Sequence, residues 1–170
     1  MKRAAPIFYK KRYSSPLGEM SLVVSDKGLR GVWFVGQKYF EAGLNQELLG
    51  ESHPILEETA RLLDAYFAGE NVDFSSLPLD LEGTDFQQKV WAILRTIPAG
   101  QVTSYGQIAK DLNHPSPQAI GGAVGRNPIS VLIPCHRVLN SQGKLTGYAG
   151  GLDKKMWLLQ HENPRIEVKE

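Results

Sequence analysis

The sequence predicts an α+β protein in two parts. A small N-terminal sheet-plus-helix domain is expected to be packed on a mostly helical C-terminal domain with a helix-turn-helix. Three observations predict this. Residues 7–35 alternate Val-, Leu- and aromatic-rich runs with tight-turn residues. Residues 84–161 place capping residues ahead of apolar helical stretches. Between these regions, residues 70–83 contain Pro78 and Gly83 and show no period, so they read as a linker. The expected domains are 1–83, linker included, and 84–170.

The elements follow in order. Ile7–Tyr13, Glu19–Ser25 and Leu29–Val35 are strand candidates of a β-meander, with turns at Ser15-Pro16-Leu17-Gly18 and Asp26-Lys27-Gly28. Pro54–Ala68 has helical spacing, with Ile55, Leu56, Thr59, Leu62, Leu63, Tyr66 and Phe67 on one face and Gly69 as the stop. Thr84-Asp85-Phe86-Gln87 is a capping-box pattern: the hydroxyl accepts from the third amide and the glutamine reaches back. Its helix carries Val90, Trp91 and Leu94 and ends at Pro98-Ala99-Gly100. Ser104-Tyr105-Gly106-Gln107 repeats the pattern for a short helix to about Leu112. Ser116-Pro117 is a cap followed by proline at the first helical position, opening a helix to about Arg126. A last helix spans about Asp153 to His161. Met20, Met156 and the three tryptophans are assigned to the core.

Composition narrows the class. Hydrophobic residues make up 42% of the 170 and charged residues 22%, which suits a folded protein rather than a disordered one. No apolar run is framed as a signal peptide or is long enough to span a bilayer. One cysteine cannot form an internal disulfide, so a reducing, cytoplasmic setting is expected. With four histidines and no Cys-x-x-Cys or His-x-x-x-His spacing, no metal site is expected. Residues 1–83 hold 9 Lys/Arg against 12 Asp/Glu, a net of −3, whereas residues 84–170 hold 10 against 6, a net of +4. The half with the cysteine is therefore mildly basic, which is compatible with nucleic acid but equally with a solvated face.

The only cysteine lies in Pro134-Cys135-His136-Arg137-Val138, after the apolar run Ile129 to Ile133. A thiol that loses its proton is a soft nucleophile, and an adjoining imidazole can take that proton directly or through water. A buried, inert cysteine is the alternative. The helix pair 105–112 and 116–126 has helix-turn-helix proportions, though many helical domains contain such pairs. Its second helix carries Gly121, Gly122, Ala123 and Gly125. Three glycines in a helix cost roughly 3 kcal/mol relative to alanine. Close packing on another helix would explain that cost, and so would close approach to a nucleic-acid groove.

Together these motifs resemble the O6-alkylguanine-DNA alkyltransferase family. The resemblance rests on Ile133-Pro134-Cys135-His136-Arg137-Val138, Gly147-Tyr148-Ala149-Gly150-Gly151, Trp157-Leu158-Leu159 with His161-Glu162, Ser104-Tyr105-Gly106, Gly121-Gly122-Ala123 and Asn127-Pro128. It is strongest over residues 84–163; the N-terminal half matches in length and element order. It implies a ribonuclease-H-like N-terminal domain and a C-terminal domain that binds double-stranded DNA in the minor groove. It further implies that an O6-alkylguanine is flipped out and its alkyl group moved irreversibly to the protein's cysteine, once per molecule. O4-alkylthymine is a further candidate substrate. No cofactor is implied. The expected protein is a monomer in solution, with cooperative assembly on DNA as an option and no membrane partner.

The resemblance also implies roles for single residues. Cys135 is the alkyl acceptor. His136 is the base acting through a water, and Glu162 holds its tautomer. Tyr105 donates to the departing purine, and Asn127 links the DNA-binding helix to the active-site strand. The carbonyls of Cys135 and Val138 accept from the base's exocyclic amine, the amide of Ala149 donates to O6, and Tyr148 shapes the pocket loop. Gln118, Ala119, Gly122, Ala123 and Arg126 are implied DNA-facing positions, with Lys110 a further phosphate candidate. The family usually has arginine where this chain has Gln118, which predicts weaker, less salt-sensitive DNA binding. Two rival classes stand beside this reading: a lesion-sensing DNA binder that transfers nothing, and a Cys-His hydrolase.

Overall fold

The computed structural model describes residues 8–42, 44, 48–50 and 52–169. It divides into two compact units, one of residues 1–36 and 40–82, the other of residues 37–39 and 83–170. Gln37–Tyr39, expected with the N-terminal domain, cluster with the second unit.

The first unit is a sheet with a helix. Strands β1 (Phe8–Ser15), β2 (Gly18–Ser25) and β3 (Leu29–Phe34) form the antiparallel meander. Ile7, expected to open the first strand, lies outside the described residues. A fourth strand, β4 (Leu48–Gly50), pairs parallel to β1 and was not expected; the sheet order is β3-β2-β1-β4. Three residues are too few to show a strand period, so pairing with β1 defines this strand. The β2–β3 turn needs glycine: Gly28 has φ +153°, and a Cβ there would meet the Pro78 carbonyl at 2.7 Å. That closeness lets the Leu29 amide donate to the Pro78 carbonyl and the Asp80 amide donate to Leu29. The segment read as a linker is thus bonded to the β3 edge and buries Leu77.

Helix α1 (Pro54–Phe67) has proline in its first turn, and its cap is His53, whose Nδ1 accepts from the Ile55 amide at 3.1 Å. It buries Leu56, Thr59, Leu62, Leu63 and Tyr66, positions that recur at three- and four-residue spacing. Each fully buried leucine on this face stabilises the unit by about 2 kcal/mol.

The second unit contains α2 (Asp85–Leu94), β5 (Thr103–Ser104), α3 (Tyr105–Asp111), α4 (Pro117–Gly125), a 3-10 turn (Cys135–Arg137), β6 (Val138–Leu139) and α5 (Leu152–Glu162). Both halves of the Thr84–Gln87 capping box form. The second expected box forms by half. Ser104 Oγ accepts from the Gln107 amide, but the Gln107 side chain donates to Asp111 at 3.0 Å instead of turning back. Ser116 caps α4 as its sequence predicts, accepting from Ala119. Trp91 of α2 is buried and donates from its indole to the Ala123 carbonyl at 2.9 Å, which fixes α4 on α2. Met20, Trp33 and Trp91 are core residues. Met156 and Trp157 are only half-buried, a correction to their expected place: Trp157 stacks on His161 at 4.7 Å instead of entering the core. Among the described residues no helix is long and apolar enough to cross a membrane, and no cluster of three metal-ligating side chains occurs.

Candidate active site

The cysteine is held by a segment that stores backbone strain. Val131 is buried and β-branched, yet has φ 71°. Such a conformation costs about 1–3 kcal/mol and persists only where neighbours over-determine it. Asn127 does this. Its Nδ2 donates to the Ile133 carbonyl at 2.8 Å and to Ile129 at 3.3 Å, and its Oδ1 accepts from the Ile129 amide at 3.0 Å. One buried amide therefore clamps both ends of the 129–133 loop and delivers Pro134 and Cys135 in a fixed place. The parallel pairing Thr103↔Val138 and Ser104↔Leu139 then puts Tyr105, the first residue of α3, beside the chain that leaves Cys135.

Behind the cysteine lies a buried charged set. His136 Nε2 and Glu162 Oε2 are 2.7 Å apart, with side chains 0% and 2% exposed. Arg137 donates to both oxygens of Glu162, at 2.8 and 2.9 Å, and to the Ile97 carbonyl. Burial by itself would raise the Glu162 carboxyl, but His136 and Arg137 outweigh it and hold the group well below the usual carboxylate range. An ionised carboxylate can only accept, so Nε2 carries the hydrogen and Nδ1 keeps its lone pair. Nδ1 is buried and has no hydrogen-bond partner among the described residues. Burial pushes the His136 imidazole below its ordinary value despite Glu162, so it is neutral at pH 7. Burial also pushes the Cys135 thiol up, opposed by a hydrogen bond from Asn127 and the charge of Lys155. The site thus holds a protonated thiol and, on the next residue, a neutral imidazole in a fixed tautomer.

Lys155 is fully buried on α5, and its Nζ donates to the carbonyls of Thr146 and Gly147 at 3.1 and 3.0 Å. Burial brings its ammonium down to about 8, opposed by the negative charge Cys135 carries when it ionises. Tyr105 donates to the same Thr146 carbonyl at 2.9 Å. Burial pushes its phenol up, against the lowering effect of the Thr146 bond, so it stays a donor at neutral pH.

A cavity of about 300 Å³ opens over the thiol. Of the expected residues, Cys135, Tyr105, Asn127, Gly122, Tyr148 and Ala149 line it. His136 and Glu162 do not, and neither does Val138, which is buried in β6. Gln118 and Arg126 are exposed, Lys110 is exposed on α3, and Ala119 is half-buried. Ala123, expected to face DNA, is buried at 4% exposure with its carbonyl bound by Trp91. The remaining face of α4 is bare. A Cβ built at Gly122 or Gly125 would meet nothing within 4 Å, and one at Gly121 would meet only the Tyr105 ring at 3.7 Å. Close packing inside the protein therefore does not explain the glycines at 122 and 125.

Three features escaped the sequence reading. Arg137 sits inside the quoted motif, but its bond to Glu162 spans 25 residues. Lys155 had a signal: Leu158 and Leu159 stand three and four positions on, which puts the lysine on a buried helix face. Gln37–Tyr39 had none; Lys38 and Tyr39 line the cavity from far along the chain.

A cavity-lining cysteine, a buried His136–Glu162–Arg137 set, a strained loop and a glycine-rich helix with an open face make up the site. Residues 85–164 match the DNA-binding domain of 6-O-methylguanine DNA methyltransferase, and residues 8–81 match the ribonuclease-like domain of the same family. The chain is 43% identical over 156 residues to a methylated-DNA–protein-cysteine methyltransferase of Methanosarcina acetivorans, covering 91% of this chain and 97% of that one. The Haemophilus influenzae protein of the same name is 39% identical, covering 91% and 86%. The crystal structure of Mycobacterium tuberculosis O6-methylguanine methyltransferase superposes with a TM-score of 0.82 at 38% identity, covering 96% of this chain and 97% of that one. The mycobacterial protein in complex with DNA gives 0.80 at 38% identity over 92% and 94%. This chain belongs to the O6-methylguanine DNA methyltransferase family, the methylated-DNA–protein-cysteine methyltransferases of DNA repair.

Proposed function

We propose that Cys135 takes the alkyl group of an O6-alkylguanine extruded from duplex DNA, once and irreversibly. The observation that carries this reading is the one cysteine lining a cavity, directly followed by a buried histidine whose Nε2 is committed to Glu162. Nδ1 of His136 accepts the thiol proton through a water. The thiolate attacks the O6-bound carbon, a carbon–sulfur bond forms, and the carbon–oxygen bond breaks with its electrons passing to the purine. The proton released from the thiol ends on the departing guanine, so the products are an S-alkylcysteine and the repaired base.

Tyr105 turns its hydroxyl from Thr146 to the purine, where charge develops in the transition state. The Cys135 and Val138 carbonyls accept from the exocyclic amine, and the Ala149 amide donates to O6. Asn127 positions the loop that carries the nucleophile. The duplex approaches α4 from its minor groove, with Gln118, Ala119, Gly122 and Arg126 at the interface. Glycine at 122 supports this, because bulky side chains would hold the backbone away from a narrow groove. Extrusion costs a few kcal/mol of stacking, least for a damaged pair. No cofactor enters, since the lesion is the electrophile. We further propose domains 1–83 and 84–170, with Gln37–Tyr39 grouped with the second, and the reduced thiol this chemistry needs fits the cytoplasm.

A stoichiometry experiment tests the reading. With excess duplex containing O6-methylguanine, repair stops at one lesion per protein molecule, and a second addition of duplex restores nothing. Continued turnover would point to the hydrolase class; full binding without repair would point to a lesion sensor.

A further inference from the structure

We propose that Tyr39, clasped by Arg126, is the outer wall of the Cys135 cavity and sets the size of alkyl group admitted. This rests on the alkyl-transfer reading above. Tyr39 lines the same cavity as Cys135, Tyr105 and Tyr148. It is 36% exposed, one of the few large hydrophobic side chains among the described residues that reach solvent to that degree. The Arg126 guanidinium stands 4.3 Å from its ring centroid. A guanidinium over an aromatic face is attracted by the ring quadrupole, which holds one rotamer of a ring at a cavity mouth.

The backbone beneath the ring is fixed as well. Tyr39 has φ 62°, a left-handed conformation that an aromatic residue adopts only under constraint. The constraint comes from both walls of the cavity. Gln37 is buried and accepts from Ser130 Oγ at 3.3 Å, on the loop that delivers Cys135. The Lys38 amide donates to the Ala149 carbonyl at 3.1 Å, on the opposite loop. A segment bonded to both loops and strained at its tip has the anatomy of a wall. Arg126 has a dual placement: it follows α4, the proposed DNA-facing helix, and its side chain grips the wall. Loss of the ring enlarges the cavity on its open side, and loss of the guanidinium lets the ring swing.

The test compares two alkyl sizes. Alkylation of Cys135 is followed by intact mass, first with free O6-benzylguanine, which makes no DNA contact, then with saturating duplex containing O6-methylguanine. Tyr39→Ala raises the benzyl-to-methyl rate ratio at least about tenfold, the scale on which a pocket wall discriminates by size. Arg126→Ala raises it in the same direction by a smaller factor, and Tyr39→Phe keeps the wild-type ratio because the ring remains. Thermal melts show that each variant is folded. A ratio that stays within about twofold of wild type in Tyr39→Ala, or falls, overturns the wall; a rise there with no change in Arg126→Ala overturns the clasp. Failure of the wild-type protein to be alkylated by either reagent would sink the transfer reading itself.

Discussion

Nε2 of His136 lies 2.7 Å from a Glu162 oxygen, and Arg137 occupies both oxygens of the same carboxylate. One glutamate therefore fixes a tautomer and anchors a cation. Replacing it by glutamine keeps the volume but lets the imidazole present either nitrogen. Glu162→Gln is expected to slow single-turnover transfer by about 10²–10⁴ while lesion binding persists, the scale seen when the orienting carboxylate of a catalytic histidine is neutralised. Rapid-quench assays on O6-methylguanine duplex measure this. A wild-type rate would show that tautomer control is irrelevant.

Arg137 is a part-buried bridge between the end of α5 and the Ile97 carbonyl. Arg137→Ala leaves Glu162 buried with only a neutral histidine, and removing one partner of such a pair costs about 3–5 kcal/mol. Urea unfolding monitored by tryptophan fluorescence is expected to show a loss of that order. A change under about 0.5 kcal/mol would mean that the pair is solvated in practice.

Acid should destabilise the fold in two steps. Burial holds the folded His136 imidazole below its ordinary 6.5, so the unfolded chain binds more protons once the pH falls past that value. Stability is full above it and declines as pH drops. Glu162, held low by His136 and Arg137, adds a second loss below its ordinary 4.5, where the unfolded carboxyl protonates first. Urea midpoints between pH 8 and pH 3 test both steps, and His136→Gln is expected to flatten the first. A midpoint that rises as the solution becomes acid contradicts the assignment.

Gln118 is exposed in the first turn of α4. Gln118→Arg adds a cation at the proposed DNA face, so duplex affinity should rise and the slope of log K against log salt should steepen by about 0.9. Fluorescence anisotropy across a salt series measures both. Unchanged affinity and slope would place the duplex elsewhere.

Local signals made much of the fold legible. Thr84 and Ser116 announced helix starts because capping is decided within four residues. The meander was readable from turn residues and strand-forming runs. β4 was not, since three residues acquire strand geometry only through β1. Within the site, Cys135, His136 and Asn127 could be read because they lie close together in sequence. Arg137 and Lys155 make their contacts across the fold, and the placement of Gln37–Tyr39 depends on loops about a hundred residues away. The surface of α4 was half legible: its glycines were visible, but only packing shows that Ala123 turns inward beneath Trp91.

In the proposed reaction the Cys135 sulfur ends carrying the lesion's carbon. Peptide mass mapping after incubation with duplex bearing a deuterated O6-methyl group measures this directly. One labelled methyl is expected on the peptide containing Cys135, none elsewhere, and none in Cys135→Ser. Repaired DNA alongside an unlabelled Cys135 peptide would contradict it.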